Sequence, residues 1–90
     1  MKNRNVLEQI PGVGKAIAQD LNHLGIHQIQ DLQNHDPEIL YQQLCEYEGK
    51  PVDRCMLYVL RCAVYYASTE NPDPELLKWW SWKNKSYPQG

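Results

Sequence analysis

Gly12, Val13, Gly14 and Lys15 stand together in the stretch QIPGVGKAIAQDL, residues 9–21. Glycines at 12 and 14 open φ values closed to other residues and let the backbone come close to a ligand. A helix starting at Gly14 or Lys15 points its first N–H groups at whatever lies before it, and the helix dipole favours an anion there. Lys15 adds a mobile positive charge beside those groups. The chemistry that suits these residue types is capture of a phosphate. Two other phosphate-binding glycine patterns fail. Ile17 stands where a dinucleotide fingerprint needs its third glycine, and Ala16 follows Gly14-Lys15 where a triphosphate loop needs Ser or Thr.

Two further constellations bear on binding. Arg54, Tyr58, Arg61 and Tyr65 fall at i, i+4, i+7 and i+11, a basic-aromatic stripe along one helix. Such a stripe suits base stacking and phosphate neutralisation. It suits equally a face covered by the C-terminal segment, with the arginines stacked on tryptophans or paired to Glu46 or Glu48, and a small domain's need for burial favours that covering. The segment KWWSWK poses the same choice. One or two of its tryptophans close the core, and the remaining one, Trp80, forms a contact patch with Lys78, Lys83 and Lys85. Residues 76–90 contain three lysines and no acid.

Catalysis and metal binding find less support. Cys45, Cys55 and Cys62 lack Cys-x-x-Cys spacing, and Cys55 and Cys62 lie two turns apart on one helix edge, as partly buried free thiols. Gly25 ends a helix between His23 and His27, which separates the one histidine pair at i, i+4. No nucleophile–base or paired-carboxylate set has local context. We expect no enzyme activity, no cofactor, no structural metal and no small-molecule substrate.

The elements that position these residues are helical. Val6, Leu7 and Ile10 form a short apolar face before Pro11, and Ile17, Leu21 and Leu24 repeat at helical spacing up to Gly25. Ile29 and Leu32 predict a single turn capped at His27 or Gln28. Asp36-Pro37-Glu38 combines an acidic N-cap, proline at the first helical position and a carboxylate in the first turn. Asp73-Pro74-Glu75 repeats that start. The longest helix spans Val52 or Asp53 to Ser68, with Met56, Leu57, Leu60, Ala63, Val64 and Ala67 on its core side. No alternating pattern demands a strand.

Bulk properties limit the partners. Ninety residues make one domain, expected over residues 1–85 with a frayed tail at 86–90. Nine basic against eleven acidic residues give a net charge of −2, which argues against broad electrostatic capture of nucleic acid. No secretory signal or membrane-length apolar run is present, and an odd cysteine count reads as reduced thiols, so a cytoplasmic, non-membrane protein is expected.

The stretch IPGVGKAIAQDLNHLGI resembles the helix-hairpin-helix motif, apolar-x-Gly-apolar-Gly-x-x-x-Ala-x-x-Leu, with Ile10, Gly12, Val13, Gly14, Ala18 and Leu21 filling it. Gln28 departs from the Ser or Thr common at the next helix start. Beyond the motif, IPGVGKAIAQDL, DPEILYQQL, PVDRCMLYVLRCAVYYA and LLKWWSWK resemble a family of small bacterial proteins named for a pathogenicity locus, some carrying names linked to mitomycin resistance. The motif resemblance implies weak, sequence-independent DNA binding through amides near Gly12, Gly14 and Lys15. It also implies a monovalent cation held by the carbonyls of Glu8, Ile10 and Val13. The expected architecture is an all-α single domain of five or six short helices, opening on the helix-hairpin-helix, with the helices around Gly49-Lys50-Pro51 as a degenerate second copy. The expected partner is DNA, as an accessory in repair or stress response, or else an unidentified protein for which the hairpin is only scaffold.

Overall fold

The structure is a computed structural model that describes residues 5–33 and 35–83. Lys2, Arg4, Lys85 and the tail 86–90 lie outside the described residues, as do the ends of the expected domain. The described chain is helical. It contains three α-helices, α1 (Lys15–His23), α2 (Pro37–Glu48) and α3 (Arg54–Ser68). Four 3-10 turns complete it, at Val6–Gln9, Ile29–Leu32, Pro74–Leu77 and Trp79–Trp82. The expected five or six helices are therefore three α-helices and four single turns. A four-residue segment makes too few i→i−4 bonds to offset nucleation, so it settles into tighter 3-10 geometry.

Each boundary has a local cause. The carboxylates of Asp36, Asp53 and Asp73 accept the backbone N–H of Glu38, Cys55 and Glu75 at 2.9, 2.9 and 3.0 Å. Asn5 does the same for Leu7 at 3.2 Å. Asp31 accepts the N–H groups of both His27 and Gln28 at 3.0 Å and forms a reciprocal cap with Gln28, so the turn starts without Ser or Thr. Those bonds hold the Asp31 carboxyl below its ordinary range. Gly25 stops α1 in the left-handed region, with Ile26 N–H donating to the Leu21 carbonyl at 2.9 Å and Gly25 N–H to Asn22 at 3.0 Å.

α3 is the central element. Nine of its residues are buried, from Met56 to Ala67, and α2, the Ile29–Leu32 turn and both C-terminal turns pack on it. Leu7, Ile10, Val13, Ala18, Leu21, Ile26 and Leu32 from the N-terminal half join Leu40 and Leu44 of α2 and the α3 residues in one core. Ala18 is fully buried, so the small side chain expected from the sequence lets α1 pack closely. α2 is further tied to the segment leading into α3 by the Tyr41 hydroxyl donating to the Val52 carbonyl and by Cys45 Sγ accepting from Val52 N–H at 3.4 Å. Among the described residues no helix is long and apolar enough to cross a membrane.

Candidate nucleic-acid interface

Ile10-Pro11-Gly12-Val13 forms the hairpin. Val13 N–H donates to the Ile10 carbonyl at 3.0 Å, and Gly12 sits at φ 87. Proline at the second position and a positive-φ glycine at the third are the requirements of a type II turn. Val13 is buried as a plug between the segments on either side.

Gly14 differs from Gly12. Its φ of −94 and ψ of −170 are extended backbone that any residue adopts, and a Cβ there would meet nothing within 4 Å. The expectation that both glycines need forbidden φ values thus holds for Gly12 only. Gly14 is the N-cap of α1, its carbonyl accepting the Ala18 N–H at 2.9 Å. It offers no side chain, and the first turn of α1 contains no acid. Lys15 is exposed at the first helical position. The N–H groups of Lys15, Ala16 and Ile17 precede the first i→i−4 bond and so have no acceptor within the helix. The Val13 N–H, by contrast, is already engaged in the turn.

Behind the turn lies a strap formed by residues 73–83. Trp79 packs on the hairpin so closely that a Cβ added to Gly12 would stand 3.1 Å from its Cδ1. Cys62 Sγ on α3 faces the carbonyls of Pro11 at 4.0 Å and Leu76 at 3.6 Å. Trp82 Nε1 donates to the same Leu76 carbonyl at 2.8 Å. Cys62 is buried, which pushes its thiol up to about 11 and keeps it protonated. Cys55 is exposed and Cys45 half-buried, so the expected pair of equivalent edge thiols is split.

Arg61 is part of the interior. At 6% exposure its Nε and Nη2 donate to Glu38 Oε2 at 3.1 and 2.7 Å, and its Nη1 donates to the Trp82 carbonyl at 2.8 Å. The guanidinium also lies 5.8 Å from the centre of the Tyr58 ring. The stripe therefore does not present Arg61 to a ligand, and its acid is Glu38 rather than Glu46 or Glu48. Tyr65 is likewise turned to the strap: its hydroxyl accepts the Asp73 N–H at 2.8 Å and its ring tilts against Trp82 at 5.5 Å. Arg54 stays exposed and Tyr58 half-buried. Lys78 is exposed with its ammonium 3.4 Å from Glu75, and Trp80 is 58% exposed.

The structure thus sets Gly12 against Trp79 of the strap, buries Val13, leaves Gly14 and Lys15 exposed, and turns Arg61 into the interior. Residues 1–87 match the family model Cdd1, described as a pathogenicity locus. The chain belongs to that family. No curated protein and no solved structure matches it. Within this Cdd1 chain, sequence reasoning missed Glu38 as the partner of Arg61 and Trp79 as the residue lying on Gly12. Glu38 had a signal, as the one acid in the first turn of a helix expected to pack on α3. The Trp79–Gly12 contact joins residues 67 positions apart and had none.

Among the described residues no group of three His, Cys, Asp or Glu side chains could hold a metal ion. The carbonyls of Glu8, Ile10 and Val13 include one, Ile10, that already accepts a turn N–H and keeps a second lone pair.

Proposed function

We propose that this Cdd1 protein binds the DNA backbone weakly and without sequence preference, seating one phosphate at the N-terminus of α1. In this reading residues 5–23 are a helix-hairpin-helix whose first helix is reduced to the Val6–Gln9 turn. The observation that carries it is the bare start of α1. α2, α3 and the turns at Val6 and Pro74 each begin with an Asp or Asn oxygen on a backbone N–H, whereas α1 begins at a glycine with no acid in its first turn. The amides of Lys15, Ala16 and Ile17 are the donors, Gly14, whose Cβ position is open, leaves room for the phosphate, and Lys15 neutralises it. A monovalent cation on the carbonyls of Glu8, Ile10 and Val13 would brace the turn and has no further part. An accessory role in DNA repair or stress response, and the link to mitomycin resistance, fit such binding and follow from the resemblance, while the cytoplasmic setting follows from the cysteine count and the apolar pattern of the sequence.

Few phosphates are neutralised, so the affinity is low. One phosphate neutralised by Lys15 gives a salt slope near −1, with a Kd on the order of 10⁻⁵ M or weaker at physiological salt. Labelled duplex titrated at low ionic strength tests this. Binding should fade as salt rises, and Lys15→Glu should abolish it for every sequence while the helicity stays intact. Absence of binding at high protein concentration, or a silent Lys15→Glu, refutes it. The second reading, a protein-interaction surface on Trp80 and Lys78 with the hairpin as scaffold, is favoured by the exposure of Trp80 and would then stand.

A further inference from the structure

The three tryptophans of the strap have different surroundings. Trp82 is 2% exposed and hydrogen-bonded, and Trp79 packs against the core and the hairpin. Trp80 has the most exposed large apolar side chain among the described residues. Its ring meets Trp79 edge to face, with centroids 5.7 Å apart and planes at 86°. That contact fixes the direction of the ring and leaves more than half of the side chain open. Trp79 rests on Gly12, and one residue further, about 3.8 Å along the backbone, lies Trp80. Trp79 thus stands between Gly12 and the open indole, touching both.

The charge around it has one sign along the chain. From Leu76 to Lys83 there are two lysines, Lys78 and Lys83, and no acid. The nearest carboxylate in sequence, Glu75, is matched to Lys78 at 3.4 Å, which leaves Lys83 as the uncompensated charge of residues 75–83. An exposed aromatic ring flanked by lysines suits an anionic chain that carries flat bases, since any base has a face to stack and the lysines meet its backbone. An aliphatic or acidic protein surface would use the ring without needing its planarity.

We infer that the preferred ligand is single-stranded DNA, with an unpaired base stacked on Trp80. The inference rests on the phosphate reading above and adds the form of the DNA. In a duplex both faces of each internal base are covered by its neighbours, so Trp80 gains nothing from it.

The test compares a labelled oligothymidylate, which cannot pair with itself, against a duplex of the same length at low ionic strength, using the full chain. The parent should bind the single strand about fivefold or more tightly than the duplex, the gain expected from one stacked base. Trp80→Ala should remove that preference and leave duplex affinity unchanged, and Trp80→Phe should keep most of it, with helicity verified for both. Oligothymidylate should also quench tryptophan fluorescence in the parent and much less in Trp80→Ala. Equal binding of both forms by the parent, or unchanged single-strand affinity in Trp80→Ala, overturns the inference and leaves the phosphate reading intact. If neither form binds, the phosphate reading falls and takes the inference with it.

Discussion

Gly14→Asp places a carboxylate where α1 has no cap of its own. The backbone is ready for it: φ −94 and ψ −170 are N-cap geometry, and the new Cβ meets no atom within 4 Å. An aspartate oxygen there accepts an N–H of the first turn, as Asp36 and Asp53 do for α2 and α3. Aspartate in place of a glycine cap gives a few tenths of a kcal/mol, its charge at the positive end of the dipole about 0.3–1, and the loss of glycine's freedom in the unfolded chain about 0.4–1. A net gain of about 1 kcal/mol raises the Tm of a domain this size by roughly 4–8 °C. The same carboxylate occupies the donors assigned to phosphate and repels it, so DNA binding should vanish. The assay pairs a circular-dichroism melt with the low-salt titration. A variant that melts lower than the parent refutes the assignment of a bare cap. One that melts higher and still binds DNA as the parent does refutes the phosphate site.

Gly12→Ala should cost about 1–2 kcal/mol, because its left-handed φ of 87 is strained for alanine and the new methyl stands 3.1 Å from Trp79 Cδ1. Gly14→Ala should be close to neutral, and equal melting of the two variants would refute the type II turn. Glu38→Ala removes the carboxylate to which Arg61 Nε and Nη2 donate and should cost about 2–3 kcal/mol, below the cost for a fully buried pair because the Glu38 side chain is 44% exposed. A loss under about 0.5 kcal/mol in denaturant melts would place the pair with ordinary surface ion pairs. Burial and the Glu48 carboxylate hold Asp20 above its ordinary value, against a smaller pull from His23. A raised folded value means the folded state keeps a proton longer, so stability falls as pH rises from the ordinary carboxylate value through the raised one. Asp20→Asn should therefore melt above the parent at pH 7, with the gap closing in acid below about pH 3, and a gap that is constant with pH would contradict this.

What could be read from the sequence was what local chemistry decides. Asp36-Pro37-Glu38 and Asp73-Pro74-Glu75 set their starts through an oxygen two residues from the N–H it accepts, and Gly25 and Gly49 set stops through one left-handed residue each. Composition alone could not separate Gly12 from Gly14, since the difference lies in Pro11 fixing a type II turn in which only position 12 needs positive φ. The division of the KWWSWK tryptophans was legible, with Trp82 and Trp79 packed inward and Trp80 exposed. The break at Lys78 into two 3-10 turns was not, because it follows from where α3 offers Cys62 and Arg61 to the strap's carbonyls. Arg61 shows the same limit: its spacing was read correctly, but its partner depends on which end of α2 lies against α3.

That partner also bears on function. A stripe with two free arginines would have made a broad electrostatic surface, at odds with a net charge of −2. With Arg61 joining α2, α3 and the strap, it instead holds in place the segment that carries Trp79 and Trp80. The strap in turn lies on Gly12 through Trp79, so the hairpin's position depends on α3 even though the two are far apart in sequence. A phosphate site made of amides needs a rigid backbone more than it needs charge, because its donors are fixed by the fold and Lys15 is its one cation at the first helical position. The buried arginine thus acts on the candidate site from the interior, as a support for its geometry.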